Sequence, residues 1–297
     1  MSLPEKSTTV RFKNLATTAV FRYGEYLAPR RVGRLARDLW FSAPPRMAEL
    51  PVPDGGVPFE VVAQGHVVRG HVWGEGPVVY LVHGWGGRGS QFGALVEPLV
   101  ESGHRVVMFD APAHGDSDHG PAGPRRTNGL EFAHALDEVF LRFGPAEAVV
   151  AHSLGTIATY LALRFGWLGT ERLVLIAPMV ESASLFDQFQ AALGFGPRIR
   201  RAFDRSVLEW VGIPVSEFDA RFQARHVEPL PTLVIADKDD RQTPYADVVD
   251  FAATIGAPLV TTEGLGHRKV LRDPAVVDTV VEFVAGAAAR PREKRLA

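Results

Sequence analysis

The run Ala151-His152-Ser153-Leu154-Gly155 lies between an apolar stretch, Ala146–Ala151, and a stretch patterned as a helix, Leu154–Phe165. A serine on a sharp strand-to-helix turn has its hydroxyl exposed above the sheet edge, and small residues two before and two after it let the backbones pass. The helix behind it offers backbone N–H groups to a developing oxyanion. Serine is a poor nucleophile at neutral pH until an imidazole accepts its proton, and a carboxylate is then needed to orient that imidazole. His267, in Gly264-Leu265-Gly266-His267, is a candidate for the imidazole. Asp237, Asp239 and Asp240, in the run Ala236-Asp237-Lys238-Asp239-Asp240, are three candidates for the carboxylate. The chemistry these side chains suit is nucleophilic attack on a carbonyl carbon.

Three residues so far apart in the chain need a scaffold that returns to one edge again and again. Short runs rich in Val, Ile and Leu recur at Val78–Val82, Arg105–Phe109, Ala146–Ala151, Leu173–Ala177, Thr232–Ala236 and Pro258–Thr261. Unalternated runs of that length suit strands buried on both faces of a parallel sheet. Helical patterns separate most of them: Asn128–Phe143, Leu154–Phe165, Tyr245–Ile255 and Ala275–Ala289. Val57–Ala63 and Val67–Trp73 flank Gly65 as a hairpin would. The expectation is an α/β fold, a mostly parallel sheet covered by helices on both sides.

Two segments fall outside that rhythm. Residues 11–40 read as amphipathic helices, with Phe12, Leu15, Ala19, Tyr23 and Tyr26 at helical spacing, an interruption at Pro29, then Val32, Leu35, Ala36, Leu39 and Trp40. They are expected to pack on the main domain as an arm. A competing expectation is a membrane-surface helix, with Arg30, Arg31, Arg34 and Arg37 toward lipid and Trp40 and Phe41 inserted. Residues 181–231 occupy 51 positions where a crossover needs one helix, and hold Phe186, Phe189, Phe195, Phe203, Phe218, Phe222 and Trp210. They read as a helical cap, with Phe186, Phe189, Phe195 and Trp210 expected to line an apolar substrate pocket.

In motif and order the chain resembles the α/β-hydrolase family: serine, then acid, then histidine. The resemblance covers Leu81 to His267, with Ala151 standing where that family usually has Gly. Aligning Ala236 with the Gly of the family's Gly-x-x-Asp acid loop makes Asp239 the acid, with Asp237 and Asp240 as competing assignments. Leu81-Val82-His83-Gly84-Trp85-Gly86-Gly87 looks like the family's His-Gly oxyanion loop, which implies that the backbone amides of Trp85 and Leu154 receive the oxyanion and that His83 is structural. Asp110-Ala111-Pro112-Ala113-His114-Gly115-Asp116-Ser117 is similar to the family's Asp-x-Pro-Gly turn, with Ala113 in place of a Gly. The organisation implied is a hydrolase core at residues 51–180 and 232–297, a cap at 181–231 between the sixth and seventh core strands, and an arm and linker at 1–50. The function implied is a serine hydrolase cleaving a carboxylic ester with an apolar moiety, with thioesterase, lactonase and carbon–carbon hydrolase as relatives of the same chemistry. A binding protein without catalysis on the same scaffold is the reading from another class. Serine at the nucleophile position disfavours the family's Asp-dependent dehalogenases and epoxide hydrolases.

Composition narrows the partners. The 297 residues carry 32 Lys and Arg against 34 Asp and Glu, for a net charge of −2, which disfavours a nucleic-acid binder. Within residues 1–50, nine Lys and Arg face four acids, a local net of +5. There is no cysteine, so disulfides, thiolate nucleophiles and Cys-ligated metals are excluded. His114, Asp116, Asp118 and His119 have metal-ligand chemistry, but they sit in the turn just named and a serine mechanism needs no ion; no metal or cofactor is expected. Arg198, Arg200, Arg201 and Arg205 in the cap could hold a phosphate, with a solvated helix face as the plainer reading. With no signal-peptide pattern and no long apolar run, a cytoplasmic protein is the expectation.

Overall fold

The computed structural model describes residues 15–44, 50–181 and 183–286; Phe12 of the amphipathic pattern and the last residues of the final helical stretch lie outside the described residues. The strands are β1 (Val57–Ala63), β2 (His66–Trp73), β3 (Val78–Val82), β4 (Arg105–Phe109), β5 (Ala146–His152), β6 (Thr170–Ile176), β7 (Thr232–Asp237) and β8 (Leu259–Thr262). The helices are α1 (Leu15–Leu27), α2 (Pro29–Trp40), α3 (Gly93–Glu101), α4 (Gly129–Phe143), α5 (Leu154–Arg164), α6 (Ala183–Leu193), α7 (Pro197–Val211), α8 (Ala220–Ala224), α9 (Tyr245–Thr254), α10 (Gly266–Lys269) and α11 (Pro274–Val284). The chain divides into two units, one of residues 1–42 and 181–218, the other of residues 43–180 and 219–297.

In the larger unit the eight strands form one sheet in the order β1-β2-β4-β3-β5-β6-β7-β8. The β1–β2 hairpin and the β2–β4 pairing are antiparallel, and every pairing from β4 through β8 is parallel. The interior strands β3 and β7 are buried at every residue, which is why their sequences run apolar without alternation. Helix starts follow local chemistry: the Asn128 side chain accepts from the Leu130 and Glu131 amides ahead of α4, and Asp273 does the same for Ala275 and Val276 ahead of α11.

The smaller unit is built from chain segments far apart in sequence. Gly33 of α2 lies so close to α7 that a Cβ there would meet the Ala202 Cβ at 2.7 Å and the Phe203 backbone nitrogen at 2.8 Å. Arg37 donates to the Ser206 hydroxyl at 3.0 Å, and the Phe41 and Trp210 rings meet edge to face at 5.0 Å. The buried Glu25 carboxylate accepts from the amides of Gly196, Arg198 and Ile199 and so caps the start of α7. Trp40 stacks on Phe186 at 4.3 Å and meets Phe189 at 5.0 Å, while Phe21 meets Phe195 at 5.6 Å.

Three expectations are corrected here. The arm, expected to pack on the main domain, groups with the cap helices, and residues 219–231 group with the core rather than with the cap. Phe186, Phe189, Phe195 and Trp210, expected at a substrate pocket, have their rings in contact with Phe21, Trp40 and Phe41; burying those rings against one another removes more apolar surface from water than exposing them at a pocket wall. For the same reason Trp40 and Phe41 are not outward-facing anchors.

Candidate active site

Ser153 occupies the turn between β5 and α5 with φ 53° and ψ −121°, a conformation that L-residues rarely adopt. Neighbouring hydrogen bonds over-determine it: the Ser153 amide donates to the Ile176 carbonyl at 3.2 Å, and the Ser153 carbonyl accepts from Thr156 at 3.0 Å and Met179 at 3.1 Å. Two glycines make room. A Cβ on Gly155 would stand 2.4 Å from the Val82 carbonyl oxygen, and one on Gly84 would stand 2.6 Å from the Ser153 Cβ. Ala151 is fully buried within β5, between Val82 of β3 and Leu175 of β6, so its extra methyl is accommodated.

The carboxylate that meets His267 is Asp240, not Asp239. His267 Nδ1 lies 2.7 Å from Asp240 Oδ2, and both side chains are almost fully buried. Asp240 Oδ2 also accepts from the Thr243 hydroxyl at 2.7 Å, and its Oδ1 accepts from the amides of Gln242 at 2.7 Å and Thr243 at 3.1 Å. Burial alone would raise the Asp240 pKa, but the hydrogen bond and charge of His267, joined by these donors, outweigh it and hold the carboxyl below its ordinary value. Asp239 is exposed, and its Oδ2 accepts from the Gly264 amide at 2.9 Å. The reason is register: β7 runs one residue past Ala236, and the turn closed by the Asp240 amide on the Asp237 carbonyl swings Asp239 outward. Asp237 organises both loops, accepting from the Asp239 amide with one oxygen and from the Thr262 hydroxyl and Leu265 amide with the other. The sequence signal was Thr243, three residues after Asp240, where an Asp side chain folds back on the next amides.

An ionised carboxylate can only accept, so His267 donates to Asp240 through Nδ1. Among the described residues the amides of Trp85 and Leu154 have no hydrogen-bond acceptor, as donors for an incoming oxyanion must.

Three further buried histidines lie in the neighbouring segments; His83 was expected to be structural, and the parts of His114 and His152 were not read from the sequence. The Ala111 amide donates to His83 Nε2 at 2.9 Å, so the His83 proton is on Nδ1, which faces the Gly84 carbonyl at 2.8 Å. The Gly86 amide donates to His114 Nε2 at 2.9 Å, and His114 Nδ1 faces the Pro112 carbonyl at 3.0 Å. Two neutral imidazoles thus tie the segment 83–87 to the turn 110–117. Burial lowers the His83 pKa to about 4 and the His114 pKa to about 3. His152 Nε2 faces the His267 carbonyl at 2.8 Å and the two rings lie 4.6 Å apart; burial lowers its pKa to about 3.

The residues weighed as metal ligands have other engagements. His114 holds Gly86, Asp116 pairs with Arg88 at 2.9 Å, Asp118 pairs with Arg69 at 2.8 Å, and His119 Nδ1 faces the Gly120 carbonyl at 3.0 Å. Ala113, where the family turn has Gly, takes φ 63°. A cavity of about 140 Å³ lined by Phe59, Arg69, His71, Arg88 and Asp116 includes none of Ser153, Asp240 and His267.

Comparison with known proteins bears on this arrangement. A family described as the alpha/beta hydrolase fold matches residues 77–205, and one described as TAP-like protein matches residues 197–294. The chain belongs to the α/β-hydrolase superfamily. It is 30% identical over 157 residues to a pimeloyl-[acyl-carrier protein] methyl ester esterase of Vibrio atlanticus, covering 50% of this chain and 55% of that protein. It is 42% identical over 89 residues to methylesterase 9 of Arabidopsis thaliana, covering 28% and 32%. The chain thus spans about half the length, or less, of the curated relatives it matches. Among solved structures, an esterase of Pyrococcus furiosus superposes with a TM-score of 0.61 at 17% identity, covering 82% of this chain and 96% of that one. The thioesterase domain of a curacin biosynthetic pathway gives 0.57 at 18%, covering 78% and 99%. These α/β-hydrolase neighbours share the fold.

Proposed function

We propose that this α/β-hydrolase is a serine esterase that cleaves a carboxylic ester with an apolar acyl moiety and a small alcohol. Ser153 Oγ attacks the ester carbonyl as its proton passes to His267 Nε2. Asp240 stays ionised, keeps Nδ1 protonated and stabilises the imidazolium. The Trp85 and Leu154 amides, with the N-terminal end of α5 behind them, receive the negative charge of the tetrahedral oxygen. Collapse breaks the bond to the alcohol oxygen, which takes the proton from His267. Water then attacks the acyl-Ser153 carbonyl, again giving its proton to His267, and the acid leaves with serine restored.

The observation that carries the reading is the buried 2.7 Å contact of His267 Nδ1 with Asp240, in chain order after a serine held at φ 53°. The names of the two relatives, both methyl ester hydrolases, support a small alcohol as leaving group. Purified protein should be labelled at Ser153 by a fluorophosphonate and should hydrolyse nitrophenyl and methyl esters of medium-chain acids. Ser153→Ala should lower kcat/KM by about 10⁴-fold or more. Turnover of acyl-coenzyme A but of no oxygen ester reassigns the enzyme as a thioesterase. Failure of the probe to label favours a binding protein on this scaffold.

A further inference from the structure

The smaller unit displays arginines on one side only. Contacts between α2 and α7 recur at a constant spacing in sequence: Gly33 meets Ala202, Arg37 meets Ser206 and Phe41 meets Trp210. A constant offset means that the two helices run parallel and in register. At about 100° per residue, the exposed residues of α2, centred on Arg30, Arg31 and Arg34, lie about 90° to one side of its seam with α7 at Gly33 and Arg37. The exposed Arg198, Arg201 and Arg205 of α7 lie about as far round in the opposite sense from its seam with α2. Because the seams face each other, both rows of arginines point the same way, about 8–10 Å apart.

The other arginines of these two helices are neutralised within the unit: Arg37 pairs with Asp38, and Arg200 with Asp187 and Asp204. Among the described residues, Arg30, Arg31, Arg34, Arg198, Arg201 and Arg205 have no carboxylate within ion-pair distance. At the end of the pair where α2 and α7 begin, Arg198 lies over the Tyr26 ring at 5.7 Å. There α1 presents a bare apolar tip, with Tyr23 64%, Tyr26 73% and Leu27 83% exposed, and the exposed Arg30 and Arg31 follow it at the start of α2. Six unpaired guanidinium groups, together with protruding aromatic and aliphatic side chains, match an interface that is anionic at its surface and apolar a few ångströms below.

We propose that this face docks on an anionic phospholipid surface, with the arginines on the headgroups and Tyr23, Tyr26 and Leu27 in the upper acyl region. A soluble acidic protein would meet the arginine rows but would leave the tip in water, which is why the bilayer is the occupant assigned. The proposal concerns where the protein sits and stands apart from its chemistry at Ser153.

The test is co-sedimentation of the full chain with vesicles of phosphatidylcholine alone or with 30% phosphatidylglycerol, at low salt and at 0.5 M salt. Binding is expected to the anionic vesicles only, and to weaken at high salt. Each arginine removed should cost about fivefold in partition coefficient, so Arg30→Gln, Arg34→Gln, Arg201→Gln and Arg205→Gln together should cost at least about 100-fold. Tyr26→Ala with Leu27→Ala should weaken binding about tenfold or more even at low salt. Both variants should keep the fluorophosphonate labelling or circular dichroism of the parent, so a misfolded variant is recognised and replaced by Arg→Lys, which should retain binding. Equal binding to neutral vesicles, no binding to anionic ones, or variants that bind as the parent would overturn the proposal. So would retention by an acidic protein resin without vesicle binding.

Discussion

Replacing Asp240 and Asp239 in turn by Asn separates two assignments that differ by one residue. In Asp240→Asn the orientation of the new amide is decided by its neighbours. The backbone N–H groups of Gln242 and Thr243 can only donate, and they converge on Oδ1, so the amide oxygen takes that place. Its NH2 group then stands where Oδ2 was, 2.7 Å from His267 Nδ1. A donor there forces Nδ1 to be the acceptor and moves the proton to Nε2, the nitrogen that must accept the serine proton. The wrong tautomer costs about 10⁴-fold in kcat, or about 5.5 kcal/mol of transition-state stabilisation. In Asp239→Asn the new amide oxygen accepts from Gly264 as the carboxylate did, in solvent, so kcat/KM should change by no more than about twofold. The assay is hydrolysis of a medium-chain nitrophenyl ester across pH, with thermal melting to show that both variants fold. An Asp240→Asn enzyme with more than about a tenth of parental kcat, or an Asp239→Asn enzyme as impaired as its neighbour, refutes the reasoning.

Other outcomes follow from the surrounding histidines and turns. His114→Leu leaves the Gly86 amide without its acceptor and loosens the adjoining Trp85 amide, so kcat should fall by about 10–100-fold with KM little changed; an unchanged kcat would mean the loop holds its shape unaided. Ala113→Gly relieves φ 63° and should stabilise the fold by about 1 kcal/mol in urea unfolding, whereas a loss would show that the methyl group is needed. Acid should destabilise the protein well before its carboxylates titrate. His83, His114 and His152 have folded pKa values of about 4, 3 and 3, below the ordinary 6.5, so between pH 6.5 and those values only the unfolded chain takes up their protons. Each should contribute stability that is complete above pH 6.5 and is lost at about 1.4 kcal/mol per pH unit as the pH falls through that window. Glu131, raised to about 6 by burial, opposes this between pH 6 and about 4.5 because the folded chain then holds its proton. Urea midpoints that stay level from pH 7 to pH 5 would contradict the balance.

Much of the larger unit could be read from the chain. Unbroken Val, Ile and Leu runs placed the strands to within a few residues, because burial on both faces erases the alternation a one-sided strand would show. Ser153 and His267 were legible because each sits beside glycines that geometry demands, Gly155 behind the serine and Gly264 and Gly266 (φ 79° and 63°) before the histidine. The carboxylate in contact with His267 lies one residue past the expected Asp239 because β7 extends to Asp237, and strand ends are set by pairing with β8, through Asp237 and Thr262, rather than by composition. His152 and His114 act through other residues' backbone atoms, and nothing in a local pattern distinguishes such a histidine from a surface one. The aromatic rings of residues 181–218 lie against Phe21, Trp40 and Phe41 instead of the expected pocket. Which surface that is depends on contacts across some 169 positions, and periodicity carries no information at that range.

That separation has a consequence for how the protein is made and rebuilt. During synthesis α1 and α2 emerge well before α6 and α7, so Glu25, Gly33 and Trp40 have no partners until those helices have followed, after β1 through β6 are already available to pair. The arm must therefore wait, tethered and with its aromatic side chains uncovered, while most of the sheet assembles, and closing so long a loop is among the slower steps open to the chain. A chimera that transplants residues 181–218 into a related hydrolase without residues 15–42 would carry half of an interior.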